Sequence, residues 1–444
     1  MNYKTPYIVS CKDITVFNKT VIADVRNTAK LELPNKYLFL GPQGAILWAQ
    51  IDKKYRASAD GAELLSDHFS TIDQIVFNSN NNKSYDVVSL GIGIGTDDIN
   101  ILAQIQSLQK DKLSNFNIYA VDLSLALLRR GVSEIDNFLK TEEIRKNIKQ
   151  IYGIWTDFED LSLSENKTYL NLNINFGKNR ALYHLLGLTL GNNKESKLLS
   201  AIHECMEPND FLLLGVDFCA DGDETIITKA EDIYTKGESS KIINKFLCNQ
   251  LYFASEFKLQ KSDYSQKQYK LTLNNLFSDV DIIHDRNYDG KYSDVKDSIS
   301  FTRYHRTGGM PLRLCDFSTK YKKNNFKDFI EKELKSQLIH FEWIDCYHAK
   351  KNPEKNTQVL ILLKKIKKAE TQTSSTKFNE KIITQAISQL NQINKTAEAH
   401  GKSDIIDTIS AFLKTTQHSD LAQCINDKNS LDVIIKEYNK RKDE

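Results

Sequence analysis

No stretch of this 444-residue chain approaches the about 20 consecutive apolar residues of a membrane-spanning helix, so no such span is expected. Charge of one sign is also lacking. Lys and Arg number 60 against 58 Asp and Glu, so no overall field calls for nucleic acid or an anionic membrane surface. The seven cysteines (Cys11, Cys205, Cys219, Cys248, Cys315, Cys346, Cys424) are scattered, odd in number and without a C-x-x-C pair. That excludes a disulfide or zinc framework and fits reduced thiols. No H-E-x-x-H or close His pair supports a metal site. The first residues, Met1-Asn2-Tyr3-Lys4-Thr5-Pro6, lack a signal-peptide apolar core, and a cytoplasmic protein is expected. Nothing repeats at a solenoid period. What remains is an ordinary soluble composition, long enough for two or three domains.

Against that plain background one stretch stands out. It reads V-V-S-L-G-I-G-I-G-T-D-D from Val87 to Asp98, then a helix-length segment, then N-I-Y-A-V-D ending at Asp122. Glycines Gly91, Gly93 and Gly95 at the tip of a buried strand let a ligand approach the backbone where a side chain would block it. An acid at the end of the next strand accepts the hydroxyls of a ribose. The pattern points to a nucleoside-containing cofactor. A dinucleotide fingerprint has the form G-x-G-x-x-G with its acid about 20 residues on. Here the form is G-x-G-x-G and Asp122 lies 27 positions after Gly95. Asp97 and Asp98 also place negative charge where a pyrophosphate would sit, at a helix N-terminus. Both departures favour S-adenosylmethionine (SAM), which has a ribose and a sulfonium but no phosphate. The alternative is a glycine-rich strand-to-helix turn of another α/β protein.

Apolar periodicity predicts a helix over 62–77, strands over 86–90, 118–121, 148–154, 182–186 and 211–216, and helices over 97–108, 125–139 and 194–206. This alternation predicts an α/β fold: a doubly wound, mostly parallel sheet of the class I methyltransferase type. The Gly- and aromatic-rich stretch 37–44 reads as a structured loop. From 221 the pattern changes to charged helix and then short alternating strands, such as 269–273 and 298–301, which suggests an antiparallel insertion. A helix over 326–338 and strands over 341–346 and 359–366 would close the sheet with one antiparallel strand. The expected divisions are 1–60, a lead-in contributing to the substrate site; 61–220, the cofactor-binding core; 221–318, an inserted α+β substrate domain; 319–368, the return to the core; and 377–444, a C-terminal helical extension after a polar linker.

Four further segments fall where a methyl-donor enzyme needs them. Asp157, in Thr156-Asp157-Phe158, can accept from an adenine amino group while Phe158 covers the ring; otherwise the two are a cap and a core aromatic. Asn192, in Thr189-Leu190-Gly191-Asn192, lies at the carboxyl edge of the sheet and offers an amide to a substrate, or caps a helix. The run Phe211–Asp217 reads as a buried strand ending in an acid. Asp316 and Ser318, in a tract 314–321 read as opening a helix, could hold an ammonium or imidazole, or cap that helix.

In order and spacing these segments resemble the SAM-dependent histidine N-alpha-methyltransferases of the ergothioneine pathway. The likeness spans roughly 37–366 and is strongest over 86–218. Its most specific pieces are Val121-Asp122-Leu123-Ser124 and Thr189-Leu190-Gly191-Asn192. The tract Asp316-Phe317-Ser318-Thr319-Lys320-Tyr321 is similar to the family's acid-x-Ser-x-Lys-aromatic segment. The resemblance implies SAM as cofactor, held by Gly91, Gly93, Gly95, Thr96, Asp122, Ser124, Asp157 and Phe158. It implies an amino-acid substrate at Asn192, Asp316 and Ser318, with Phe39, Tyr55 and Tyr234 nearby. No catalytic residue and no metal is implied. Departures fall at the acceptor end. The family's aromatic-Phe-Tyr-Asp motif is Tyr37-Leu38-Phe39-Leu40 here, its Pro-Glu-Tyr-Tyr-Pro-Thr-Arg stretch is Lys53-Lys54-Tyr55-Arg56, and the acid at Asp316 is shortened from Glu.

The expected function is therefore SAM-dependent N-methylation of an amino acid or related small amine. Two alternatives stay open. One is methylation of a protein, peptide or RNA, which the Lys320, Lys322 and Lys323 tract would allow, although no basic-aromatic stripe supports RNA. The other is a catalytically degenerate SAM-binding module that recruits a protein partner, or self-associates, through 377–444.

Overall fold

The computed structural model of the chain describes residues 5–11, 14–27, 29–55, 57–77, 85–108, 116–141, 148–160, 162–187, 189–218, 228, 232, 236–259, 280–287, 291–307, 312–350 and 357–367. All belong to the first of two compact units, Met1–Lys367; the second is Lys368–Glu444. The helices expected over 377–444 and the strand expected over 269–273 lie outside the described residues.

Alternation along the strands decides where the core lies. In β2 (Tyr85–Leu90) and β3 (Phe116–Asp122), Val88, Leu90, Tyr119 and Val121 enter one apolar layer, while Val87, Ile118 and Ala120 enter the other. A strand buried on both faces must be covered by helices on both, as parallel sheets are. With β1 (Tyr7–Ser10), β4 (Ile148–Trp155), β5 (Arg180–Leu185), β6 (Phe211–Asp217), β10 (Phe341–His348) and β11 (Gln358–Lys365), they form an eight-stranded sheet. Its order is β1-β4-β3-β2-β5-β6-β11-β10. Only β11 runs antiparallel to the rest, paired with β6 on one side and β10 on the other. This is the expected doubly wound α/β architecture with one antiparallel strand. The order reverses between β2 and β5, and the crevice outside the carboxyl ends at such a switch point is where α/β sheets bind ligands.

The lead-in is more regular than a structured loop. It holds β1, added to the sheet edge beside β4, then α1 (Ile14–Arg26), a 3-10 turn Asn35–Phe39, and α2 (Gly41–Tyr55). The helix can start at Gly41 because glycine takes a φ of 72° there and Pro42 needs no N–H partner in a first turn. β1 is four residues long, too short to show a period.

Strands β7 (Val280–Asn287), β8 (Ile299–Thr307) and β9 (Arg313–Lys320) make a separate antiparallel sheet. Here the expectation for 314–321 is corrected, because this tract is a strand and not a helix start. Asp316, Ser318 and Lys320, spaced by two, fall on one face of a ladder with β8, so the apparent capping residues are strand side chains. The helix opens only at Lys323, after Lys322, with no side-chain cap. It runs to Ser336 through a π-type turn at Phe329–Glu333. β9 is fastened to the core edge. Leu314 exchanges backbone bonds with the lead-in at Leu31 and Leu33, and Lys320 pairs with Asp217 at the end of β6.

The glycine loop joins β2 to α4 (Thr96–Leu108), where it meets α5 (Leu125–Thr141). Gly95 has a φ of 81°, and a Cβ there would stand 2.9 Å from the carbonyl oxygen of Gly131 on α5. A left-handed side chain costs about 1–2 kcal/mol before that backbone clash is relieved. Gly95→Ala is accordingly expected to lower Tm by a few degrees; an unchanged melting curve would show that the loop has room to shift.

Candidate active site

A small cleft opens at the carboxyl ends of β2 to β5. Gly91 and Gly93 after β2, Asp122 and Leu123 at the end of β3, Phe158 and Glu159 after β4, and Gly187, Thr189, Asn192 and Asn193 after β5 line it. Its cover comes from the lead-in and α5: Asn35, Lys36 and Phe39 from the 3-10 turn, Trp48 from α2, and Leu127.

The glycine loop reverses direction in left-handed backbone, with φ of 71° at Gly91 and 57° at Gly93. Side chains at these two positions would fill the cradle. A Cβ on Gly91 would lie 3.1 Å from Phe158, and one on Gly93 would lie 3.4 Å from Nε1 of Trp48. The N–H groups of Gly91 and Ile92 donate to the carbonyl of Val121, tying the loop to β3. The Gly93 N–H donates to Asp122 Oδ2 at 3.1 Å and the Ser124 N–H to Oδ1 at 2.7 Å. Burial pushes the Asp122 carboxyl up to about 7, against the pull of those amides. A buried acid held this way gains from further donors, such as the two hydroxyls of a ribose.

At the β4 end, Asp157 is 2% exposed. Its Oδ1 accepts from the Glu159 N–H at 3.1 Å, and its Oδ2 pairs with the Lys36 ammonium. Glu159 lies 3.9 Å from that ammonium and accepts from Asn193 at 3.4 Å. Burial pushes Glu159 up to about 7, opposed by Lys36 and reinforced by Asp157. For Lys36, burial alone would lower the pKa, but Asp157 and Glu159 outweigh it and raise it.

The two acids of the helix start part company. Asp98 turns inward to His184 at 3.2 Å, both buried. Asp97 stays at the margin, where a Cβ on Gly187 would lie 3.9 Å from its Oδ2. Burial and then the neighbouring Asp98 push Asp97 up to about 7. Negative charge there suits an ammonium.

Of the residues singled out from sequence, Gly91, Gly93, Asp122, Phe158, Asn192 and Phe39 meet in the cleft, with Asp157 behind it. Gly95 and Ser124 support it. Gly95 lets the loop sit on α5, and the Ser124 hydroxyl accepts from the Leu127 N–H at 3.4 Å to cap that helix. Thr96 is the first residue of α4. Asn192 is no helix cap, since Lys194 holds that place; its carbonyl accepts from Asn35 at 2.8 Å. Asp316 and Ser318 both engage Arg303 of β8, at 2.5 and 3.0 Å, with the guanidinium fully buried. Tyr55 ends α2, but its side chain lies outside the described residues, as does Tyr234. Sequence reasoning missed Asn35, Lys36, Trp48, Glu159 and Asn193. The acid run Asp157, Glu159 and Asp160 was a signal that some cation must come near, but not which one. No cluster of residues suited to a metal is present among the described residues.

The residues present suit SAM: a glycine cradle that any side chain would fill, a buried acid short of donors, and acids instead of cations at the helix start. Residues 17–274 match the family described as histidine-specific, SAM-dependent methyltransferases. No curated protein matches the chain. Among solved structures, the 1,6-didemethyltoxoflavin-N1-methyltransferase of Burkholderia thailandensis is 10% identical, with a TM-score of 0.31 over 70% of this chain and 79% of that one. A SAM-dependent methyltransferase from Methanosarcina mazei gives 10% and 0.31 over 66% and 98%. A putative zinc-dependent alcohol dehydrogenase from Rhodobacter sphaeroides scores as well, 8% and 0.32 over 70% and 98%. Scores this low do not separate one reaction from another, and the assignment rests on the sequence match, which takes in more than half of the chain and every residue lining the cleft. The chain belongs to the histidine-specific, SAM-dependent methyltransferase family and uses S-adenosylmethionine as its methyl donor.

Proposed function

We propose that this methyltransferase N-methylates an amino acid or a related small amine. The observation that carries the reading is the enclosure of the cleft. The 3-10 turn and Trp48 roof it, and small-molecule sites are concave and covered in this way. Three amides, Asn35, Asn192 and Asn193, face it beside Phe39 and Trp48, which suits a small polar acceptor held against an aromatic wall.

The bound donor supplies a methyl group already activated on a sulfonium, open to in-line attack by a lone pair. The chain's own task is to place the partners and keep water out. In this reading Asp122 accepts the ribose hydroxyls, Asp157 accepts the adenine amino group, and Phe158 covers the ring beside Gly91. Gly93 and Gly95, with Thr96 and Ser124, set the loop and helix starts around it. Asp97 faces the donor's α-ammonium. Asn192 orients the acceptor. Phe39 belongs to the acceptor side, and Asp316 and Ser318, which do not line the cleft, bear on it from behind, through β9, whose Phe317 carbonyl holds Asn35. The amine must reach the donor as a neutral lone pair, so its proton leaves before or during transfer.

Asp122→Ala is expected to abolish S-adenosylhomocysteine binding by calorimetry, and unchanged affinity would sink the donor assignment. The pH dependence follows from the same residue. A ribose binds the ionised carboxylate, whose pKa in the ligand-free cleft is about 7. Affinity should therefore rise with pH, roughly tenfold between pH 6 and pH 8, and Asp122→Asn should remove its share of that slope. For the acceptor end, a methyl-release assay across an amino-acid panel comes first. Asp316→Asn, which leaves Arg303 a hydrogen-bond acceptor, is then expected to raise the acceptor KM with donor Kd unchanged. Equal loss of both would make Asp316 purely structural. Donor binding with no turnover on any amine would favour a SAM-binding module instead.

A further inference from the structure

Among the described residues lining the cleft, Lys36 is the cation. The Lys36 ammonium, on the 3-10 turn, lies on Asp157 Oδ2 with Glu159 Oε2 3.9 Å away, and both acids are largely buried. Asp157 is the acid that the donor reading assigns to the adenine amino group, so the lysine stands where the base must dock. We propose that Lys36 is a positioning and specificity-determining residue for the donor: its ammonium holds Asp157 in the empty cleft and passes to Glu159 when the base's exocyclic amino group takes its place. The inference rests on the reading of Asp157 as the base contact.

Three features favour a side-chain transfer over a movement of the whole turn. The backbone is pinned next door, where the Asn35 amide donates to the Asn192 carbonyl at 2.8 Å and the Phe317 carbonyl at 3.1 Å. The distance is short, since Nζ need close only about 1 Å to reach a charge-assisted hydrogen bond with Glu159. The receiving group is prepared, because Glu159 is held by the Asn193 amide at 3.4 Å. Without a second seat, docking the base would strand a buried ammonium, which is costly. With Glu159 present, the charges stay paired before and after: lysine with Asp157 when the cleft is empty, lysine with Glu159 when the base is in place. The exchange also selects the base. An exocyclic N–H donates to the vacated carboxylate, whereas a carbonyl at that position repels it.

A double-mutant cycle on the full chain, with S-adenosylhomocysteine as the calorimetric probe, separates the possibilities. Glu159→Gln is expected to weaken binding roughly tenfold, because the displaced lysine then has no second carboxylate. Lys36→Met combined with Glu159→Gln should return the affinity to within about threefold of Lys36→Met alone, since no cation remains to displace. An undiminished affinity in Glu159→Gln, or a loss that persists in the double variant, overturns the transfer; the second result makes Glu159 a direct donor contact. Lys36→Gln replaces Lys36→Met in the cycle should the methionine lower Tm. Asp157→Asn tests the underlying reading separately. Wild-type affinity there would remove Asp157 from the base site, whatever the cycle gives.

Discussion

The hydrogen bond from the Gly93 N–H to the Asp122 carboxylate joins the ends of the two central strands, and the rest of the site is arranged around it. It forms only because the loop after β2 runs through left-handed backbone at Gly91, Gly93 and Gly95, which turns successive amides toward β3. The same turn brings Gly95 against Gly131, so α4 and α5 flank the loop closely, and Leu127 in the first turn of α5 lines the cleft. The acid is in consequence buried with amides but without a cation. A carboxylate in that condition is under-solvated, and a ligand offering hydroxyl donors relieves it.

Long-range contacts supply the other half of the cleft. The lead-in passes over the sheet's carboxyl edge and is fixed by polar anchors on both sides: Asn35 on Asn192 and Phe317, Lys36 on Asp157, and the Tyr37 hydroxyl on Asp24. An aromatic cluster of Phe39, Trp48 and Phe246, with ring centroids 5.1 to 5.8 Å apart, carries the roof across to the helix Gly237–Leu247. The roof thus depends on two segments far apart in sequence, the lead-in and the helix Gly237–Leu247. A cover assembled this way is tied both to Asp157 and to the Asn192 backbone.

What could be read from the sequence follows from this division. The central strands and the helices between them were legible because each is long, apolar and bounded by glycine or acid, so the period and the punctuation agree. The cleft residues Gly91, Gly93, Asp122 and Phe158 could be singled out because they sit at strand ends, within a few positions of those signals. β1 was not, as a four-residue edge strand has no period to show. The β9 tract misled because Ser, Thr and Asp mark helix starts as readily as they occupy strands, and only its pairing with β8 decides. Lys36 and Trp48 carried no local mark at all. A lysine in a polar lead-in looks like solvent-facing charge until the acids it meets, more than a hundred positions away, are placed.

In the proposed reading the acceptor end turns on one pairing that no spacing rule contains. Asp316 lies directly across from Arg303 in the β8–β9 ladder, and the guanidinium takes both that carboxylate and the Ser318 hydroxyl. An isolated buried acid would hold an amine in its protonated form, raising its pKa and removing the lone pair that methyl transfer requires. An acid already neutralised by arginine exerts little of that pull, so in the proposed reading it would leave a nearby amine freer to shed its proton. In that reading recognition passes to neutral groups, the amide of Asn192 and the aromatic wall at Phe39, which would bind an amine without fixing its charge. On the proposed reading, replacing free charge with a closed ion pair in this way would give up binding strength at the acceptor and keep the lone pair that attack on a sulfonium needs.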